Sequence, residues 1–179
     1  MKDFNAFLKA LQDKEKAKRE KRRQFDPEER IYRFQTLVSD FFNVLETDWF
    51  GDSVAKGLMT IEREQISICE DALGLYNTEK CRLIMGSEKI EFVPVGTVLL
   101  GTDGRIDMKY RRNEVMFVHV GEKVKRASDL MAVIKKIMPN KDLGQKVWKY
   151  TPKVTRSHYM TADSQSVKSL IMDLVKAKE

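Results

Sequence analysis

The stretch CRLIMGSEKIEFVPVGTVLLGTDGRIDMKYRRNEVMFVHV, which runs from Cys81 to Val120, decides the fold class. In its segment Arg105–Tyr110 every second residue is apolar. This period of two is typical of a strand with one buried face and one wet face. Turn signals such as Gly86-Ser87 and Asp103-Gly104 interrupt the pattern at short intervals, so neighbouring strands should pair antiparallel.

The alternating region extends outward from this stretch, beginning at about Met59. It predicts strands at Gln65–Glu70, Lys80–Met85, Lys89–Pro94, Thr97–Leu100, Arg105–Tyr110 and Val115–Val120. Residues 140–160 lack a clear period and are predicted to be irregular or to form short strands.

Helical periodicity flanks the alternating region on both sides. Asp26-Pro27 is a good helix start, and apolar residues recur at helical spacing from Ile31 until about Thr47. A second helix should begin at Ser128 or Asp129 and stop before Pro139, and a last one should follow a cap at Thr161 or Asp163. The chain is therefore predicted to be an α+β protein, in which an antiparallel β-meander is packed with helices.

A basic N-terminal arm precedes this domain. We place the arm at residues 1–25 and a single α+β domain at residues 26–179. The arm should be helical, because Lys, Arg, Glu, Gln and Ala dominate it. From Gln12 to Gln24 only Ala17 is apolar, so that part of the arm has no face to bury.

Charge is distributed unevenly along the chain, whose net charge is +6. Residues 1–24 hold nine Lys or Arg and four Asp or Glu, whereas residues 25–139 hold 16 and 19. Residues 140–160 are again basic, with five against one. A mildly acidic body with two basic patches suggests an acidic partner.

The basic arm is the first candidate site, and we expect it to contact the phosphates of DNA or RNA. The residues predicted to do so are Lys14, Lys16, Lys18, Arg19, Lys21, Arg22 and Arg23. The alternative is a solvated helix with ion pairs one turn apart, such as Glu15 with Arg19. An acidic protein surface or an anionic membrane is a more distant alternative, and no membrane partner is assigned.

The start of the arm is the second candidate site. Phe4, Phe7, Leu8 and Leu11 form one apolar stripe on a helix and could fill a groove of a protein partner. The stripe could equally dock on the chain's own body or associate with a second copy.

A third candidate combines aromatic and basic residues between residues 140 and 160. Trp148, Lys149 and Arg156 could stack bases and hold phosphates. The competing interpretation is that Trp148 and Tyr150 belong to the core and that the lysines are solvent-exposed without binding a ligand.

No motif assigns an enzymatic reaction. The sequence has no P-loop, dinucleotide fingerprint, zinc-ligand spacing or nucleophile elbow, so no catalytic residue, cofactor or metal is assigned. The best catalytic candidate is Asp107 with Lys109, and with Glu91 as a second acid they could hold a divalent metal for a nuclease reaction.

These observations predict a non-enzymatic accessory subunit that binds nucleic acid within a larger complex. A protein-interaction adaptor is the alternative, and a metal-dependent nuclease is a distant one. Two cysteines, no visible secretory signal and no apolar run of roughly 20 residues favour a soluble, cytoplasmic setting.

Overall fold

The predicted α+β class is confirmed by the computed structural model of the chain. The structure describes residues 4–23, 26–97, 101–134, 142–151 and 158–177, with the backbone alone at 5, 17–23 and 132–134. Its helices are α1 Phe4–Arg23, α2 Pro27–Val44, α3 Gly51–Ala55, α4 Ala127–Ile134 and α5 Ser164–Lys176, with a π-helical segment at Leu45–Trp49. Its strands are β1 Thr60–Glu70, β2 Gly74–Met85, β3 Glu88–Gly96, β4 Arg105–Tyr110, β5 Asn113–Gly121, β6 Lys146–Tyr150 and β7 Met160–Thr161.

The strands form one antiparallel sheet in which the order in space follows the order in the chain. Short turns between several successive strands favour this meander, because each strand can return directly beside the previous one. The register between β4 and β5 pairs Ile106 with Phe117, so the apolar faces of the two strands coincide. The alternation seen in β4 thus predicts which of its faces meets the main core.

The main core lies between α2 and one face of the sheet. Phe41 of α2 stands at its centre, with ring centroids 5.8 Å from Phe92 and Phe117 and 5.0 Å from Trp148. Three apolar residues of α5, Val167, Leu170 and Ile171, are buried in the same cluster.

The start of α2 follows its sequence signal. Asp26 is the N-cap, and its carboxylate accepts hydrogen bonds from the backbone N–H groups of Glu28 and Glu29. The side chain of Glu29 pairs with Arg33 one turn later. The helix therefore begins where the sequence predicts, without help from the arm.

The end of α2 differs from the prediction. Instead of stopping near Thr47, the chain widens into the π-helical segment Leu45–Trp49 and then forms α3. The wider turn lets Leu45 remain buried while the half-buried Trp49 ring packs at 5.7 Å from Phe41. Packing around Phe41 accounts for the extension, which helix periodicity alone does not reveal.

The strand β5 is buried on both faces. Phe117 joins the main core, whereas Met116 and Val118 join a second cluster with Leu130 of α4. Double-sided burial explains why Val115–Val118 is a continuous apolar run rather than an alternating one.

All but one of the predicted strands are present in the structure. The strand expected at Thr97–Leu100 is wrong at Thr97, which lies in a bend after β3, and residues 98–100 lie outside the described residues. Thr97 leaves the sheet because its backbone N–H donates to the Glu70 carboxylate, not to a neighbouring strand. The strands β1 and β2 are also longer than predicted, starting at Thr60 and Gly74.

Candidate nucleic-acid and partner interface

The apolar stripe of the arm is exposed. Phe4, Phe7, Leu8 and Leu11 lie on the continuous helix α1 with exposed fractions of 69%, 58%, 42% and 46%. The rings of Phe4 and Phe7 stack with centroids 6.3 Å apart. Four large apolar residues on one helix face, all in contact with solvent, indicate a surface that a partner could cover.

The basic half of the arm continues the same helix. Lys14 and Lys16 are exposed, and the backbone remains helical through positions 18, 19, 21, 22 and 23. The predicted phosphate-binding residues of the arm, Lys14, Lys16, Lys18, Arg19, Lys21, Arg22 and Arg23, are thereby brought together within three turns.

The helical geometry sorts these basic positions into two rows. Successive residues of an α-helix are about 100° apart around its axis. Positions 14, 18 and 21 form a first row, and positions 16, 19 and 23 form a second row roughly 165° away. Position 22 lies between the rows, on the same side of α1 as the apolar stripe.

Two described residues of the second basic patch, Trp148 and Lys149, pack into the interior. The ring of Trp148 packs at 5.2 Å from His119 and against Phe41, so it joins the core. Lys149 is only 4% exposed, and its ammonium group donates to the carbonyl oxygens of Glu122 and Val124. Burial lowers the pKa of Lys149.

These contacts leave Trp148 and Lys149 poorly placed for stacking bases or holding phosphates. Arg156, the third residue of that candidate, lies outside the described residues. Trp148 and Lys149 therefore do not enter the interface that we assemble from the arm, and Arg156 stays a prediction.

The two carboxylates of the nuclease alternative are engaged in ion pairs on the sheet. Asp107 is 4% exposed, and its two oxygens accept hydrogen bonds of 2.7 Å from Arg105. Glu91 lies opposite Lys109 in the register, but it accepts two hydrogen bonds from Arg82, which are the main cause of its lowered pKa. The buried Asp107 carboxylate, with both oxygens bonded to Arg105, is therefore not open for a metal. Nowhere in the described residues do three His, Cys, Asp or Glu side chains gather to hold one.

A cleft that the sequence did not predict lies beside the start of α2. It measures about 560 Å³ and separates the first turns of α2 from the loop before β4 and from β6. Its charged lining residues are Asp26, Glu29, Asp103, Arg30, Arg33 and Lys146. Three acids balance three cations, so the cleft favours neither an anion nor a cation.

One ion cluster at this cleft joins three distant segments. Asp103 contacts Nδ1 of His119 at 3.2 Å and accepts a hydrogen bond from Lys146. Burial would raise the pKa of Asp103, but the hydrogen bonds from His119 and Lys146 outweigh burial and lower it. No local sequence pattern reveals this cluster, because the fold alone brings its members together.

A second unpredicted cluster surrounds the buried carboxylate of Glu70. Glu70 accepts hydrogen bonds of 2.9 Å from the backbone N–H and the hydroxyl of Thr97, and a further one from the Tyr76 hydroxyl. Gly96 permits this approach, since a Cβ atom there would lie 2.6 Å from a Glu70 oxygen. Arg30 donates to the Thr97 carbonyl at 2.9 Å, which ties the first turns of α2 to the sheet. These hydrogen bonds join α2, the end of β1 and the residue that follows β3.

Comparison with known proteins adds no functional assignment. The chain matched no family profile, no curated protein and no solved structure. In the part of the chain that the structure describes, no helix is both long and apolar enough to cross a bilayer. The arm is therefore interpreted from its own chemistry.

Proposed function

We propose that this protein is a non-enzymatic accessory subunit that binds nucleic acid through the basic half of α1, residues 14–23. One observation carries the proposal: seven of these ten helical residues are Lys or Arg, and only Ala17 is apolar. Burial cannot explain such a helix, because it has no apolar face there. Binding to a polyanion would explain the helix, because the cations would neutralise phosphates and release their condensed counterions.

Repulsion within the helix supports the same conclusion. Positions 14, 18 and 22 are each one turn apart, and like charges at that spacing cost roughly 0.2–0.5 kcal/mol per pair. A row of phosphates would remove this repulsion and would stabilise the helix. The two acids in this half, Glu15 and Glu20, are too few to cancel the repulsion among seven cations.

The charge of the rest of the chain also favours the arm as the site that binds a polyanion. Residues 25–139 hold more acids than bases, so their overall field repels a polyanion. Outside residues 140–160, the excess of positive charge is therefore concentrated in the arm. In the second basic patch, the buried Lys149 already donates to two backbone carbonyls.

Fluorescence anisotropy with labelled DNA and RNA oligonucleotides tests the proposal. The full chain should bind, whereas residues 25–179 should lose most of the affinity. Charge reversal at Lys18, Arg19, Arg22 and Arg23 should have the same effect as the deletion. Equal binding by the full chain and the deleted chain would refute a role for the arm.

The exposed apolar stripe favours a second function, that of an adaptor for a protein partner. Phe4 and Phe7 are more than half exposed, which is unfavourable for rings that no partner covers. A groove that received the stripe would bury the anchors of an amphipathic helix. The stripe and the basic half occupy different turns, so one arm can engage a protein and nucleic acid side by side.

A further inference from the structure

The two rows of basic positions in α1 define the shape of the phosphate surface that they can meet. The first row, 14, 18 and 21, and the second row, 16, 19 and 23, lie on nearly opposite sides of the helix. Asp13, Ala17 and Glu20 occupy the side that faces away from position 22. Basic positions thus lie along both flanks of the helix, with position 22 between them, while the opposite side carries two acids and a small residue.

We infer that the ligand of the arm is double-stranded DNA, with the basic half of α1 lying in the major groove. This inference rests on the proposed function. A helix with its side chains is about 10–12 Å across, and the major groove of B-DNA is about 12 Å wide. A helix in that groove has one phosphate backbone on each side, which matches one basic row on each side.

Other ligands fit this arrangement less well. A single strand presents one line of phosphates and would engage one row. The major groove of an A-form RNA duplex is deep and narrow, so it does not admit a helix. An acidic stripe on a protein would also face one side of α1.

The side of the helix between the rows would face the bases. It carries only two residues of this half, Glu15 and Arg22, whereas six cations lie in the two rows. Contacts to phosphates position a protein without reading sequence. We therefore expect binding to duplex DNA with little base preference.

The experiment compares three full-length variants that each lose three positive charges. The first-row variant carries Lys14→Gln, Lys18→Gln and Lys21→Gln. The second-row variant carries Lys16→Gln, Arg19→Gln and Arg23→Gln. Gln maintains helix propensity, and the control variant carries Lys56→Gln, Lys89→Gln and Lys125→Gln at exposed sites outside the arm.

Each variant is titrated with a DNA duplex, one of its single strands and the matching RNA duplex at several salt concentrations. For the DNA duplex, either row variant should make the log–log salt slope shallower by about 2.7, the value for three phosphate contacts. The control should leave the slope unchanged. The wild-type chain should bind the DNA duplex more tightly than either other ligand.

The outcomes separate this inference from the proposed function. Equal or tighter binding of the single strand or the RNA duplex, or a slope that depends on one row only, would overturn duplex-groove binding and leave nucleic-acid binding standing. Absence of binding to all three ligands would overturn both. Circular dichroism of each variant confirms that the helical content is retained.

Discussion

Phe41 is the residue that holds the layers of the main core together. It is 3% exposed and contacts rings from α2, the π-helical segment, β3, β5 and β6. Helical spacing in the sequence predicts its burial, because Phe34, Val38 and Phe41 lie on one side of α2. The sequence does not predict that β6 contributes Trp148 to the same site.

We predict that Phe41→Ala lowers the free energy of unfolding by roughly 3–5 kcal/mol, because it leaves a large cavity among aromatic rings. Urea denaturation followed by fluorescence measures this change. Tyr32→Ala, at a ring that is 69% exposed, is the control and should change stability little. A small effect of Phe41→Ala would contradict the packing described here.

The Asp103 cluster predicts a pH dependence of stability. The folded-state pKa of Asp103 is lowered, so its ionised form stabilises the fold above the ordinary carboxyl pKa near roughly 4. That contribution is lost as the pH falls through the folded-state pKa. Asp103→Asn should therefore make acid unfolding less steep between about pH 5 and 2. Asp71→Asn, at an exposed position, should keep the wild-type profile.

The burial of Trp148 and Lys149 could not be predicted from the sequence around them. The pattern KVWKY on β6 is compatible with a wet basic face and with a buried strand. The fold decides between them, because α4 and the turn at Glu122–Val124 supply an apolar cluster and carbonyl oxygens on the side of Lys149. These groups are distant in the sequence, so no local pattern indicates them.

At the scale of elements, α1 and α2 differ in what stabilises them. The helix α2 has an N-cap, buried rings and a tie from Arg30 to Thr97, whereas the described side chains of α1 are exposed. Whether an element is a helix or a strand was predictable where its apolar residues recur at a regular spacing. The extension beyond α2 was not, since it follows from packing rather than from a repeating pattern.

We predict that removing residues 1–24 leaves the body folded. The described side chains of α1 bury no core, and Asp26 caps α2 without the arm. The midpoint of thermal unfolding should match that of the full chain. Unfolding of the shortened chain would show that the apolar stripe belongs to the main core.

The two halves of the arm can be separated by mutation. Replacing Phe4, Phe7, Leu8 and Leu11 by Ala, Ala, Ser and Ser retains every cation and removes about 1.5–3 kcal/mol of burial per large side chain, if a groove receives them. We predict that this variant loses a protein partner in pull-down experiments but retains nucleic-acid binding. Charge reversal at Lys18, Arg19, Arg22 and Arg23 should do the opposite. Loss of the same partner by both variants would indicate one mixed interface on an acidic protein.

At the scale of the whole molecule, charge and packing are divided between different parts of the chain. The sheet and its helices bury a cluster of aromatic residues around Phe41, whereas residues 1–24 carry most of the net positive charge. The sequence predicts this division, because charge and hydrophobic period can both be counted along the chain. The cleft beside α2 was not predictable, because it is formed by three segments that only the fold brings together.

The salt dependence of nucleic-acid binding tests the central claim most directly. If the seven cations of residues 14–23 neutralise phosphates, the logarithm of the association constant should fall linearly with the logarithm of the salt concentration. The slope should be roughly −5 to −6, and deletion of residues 1–24 should abolish most of it. A flat response, or an unchanged slope after the deletion, would contradict the claim that the arm binds nucleic acid.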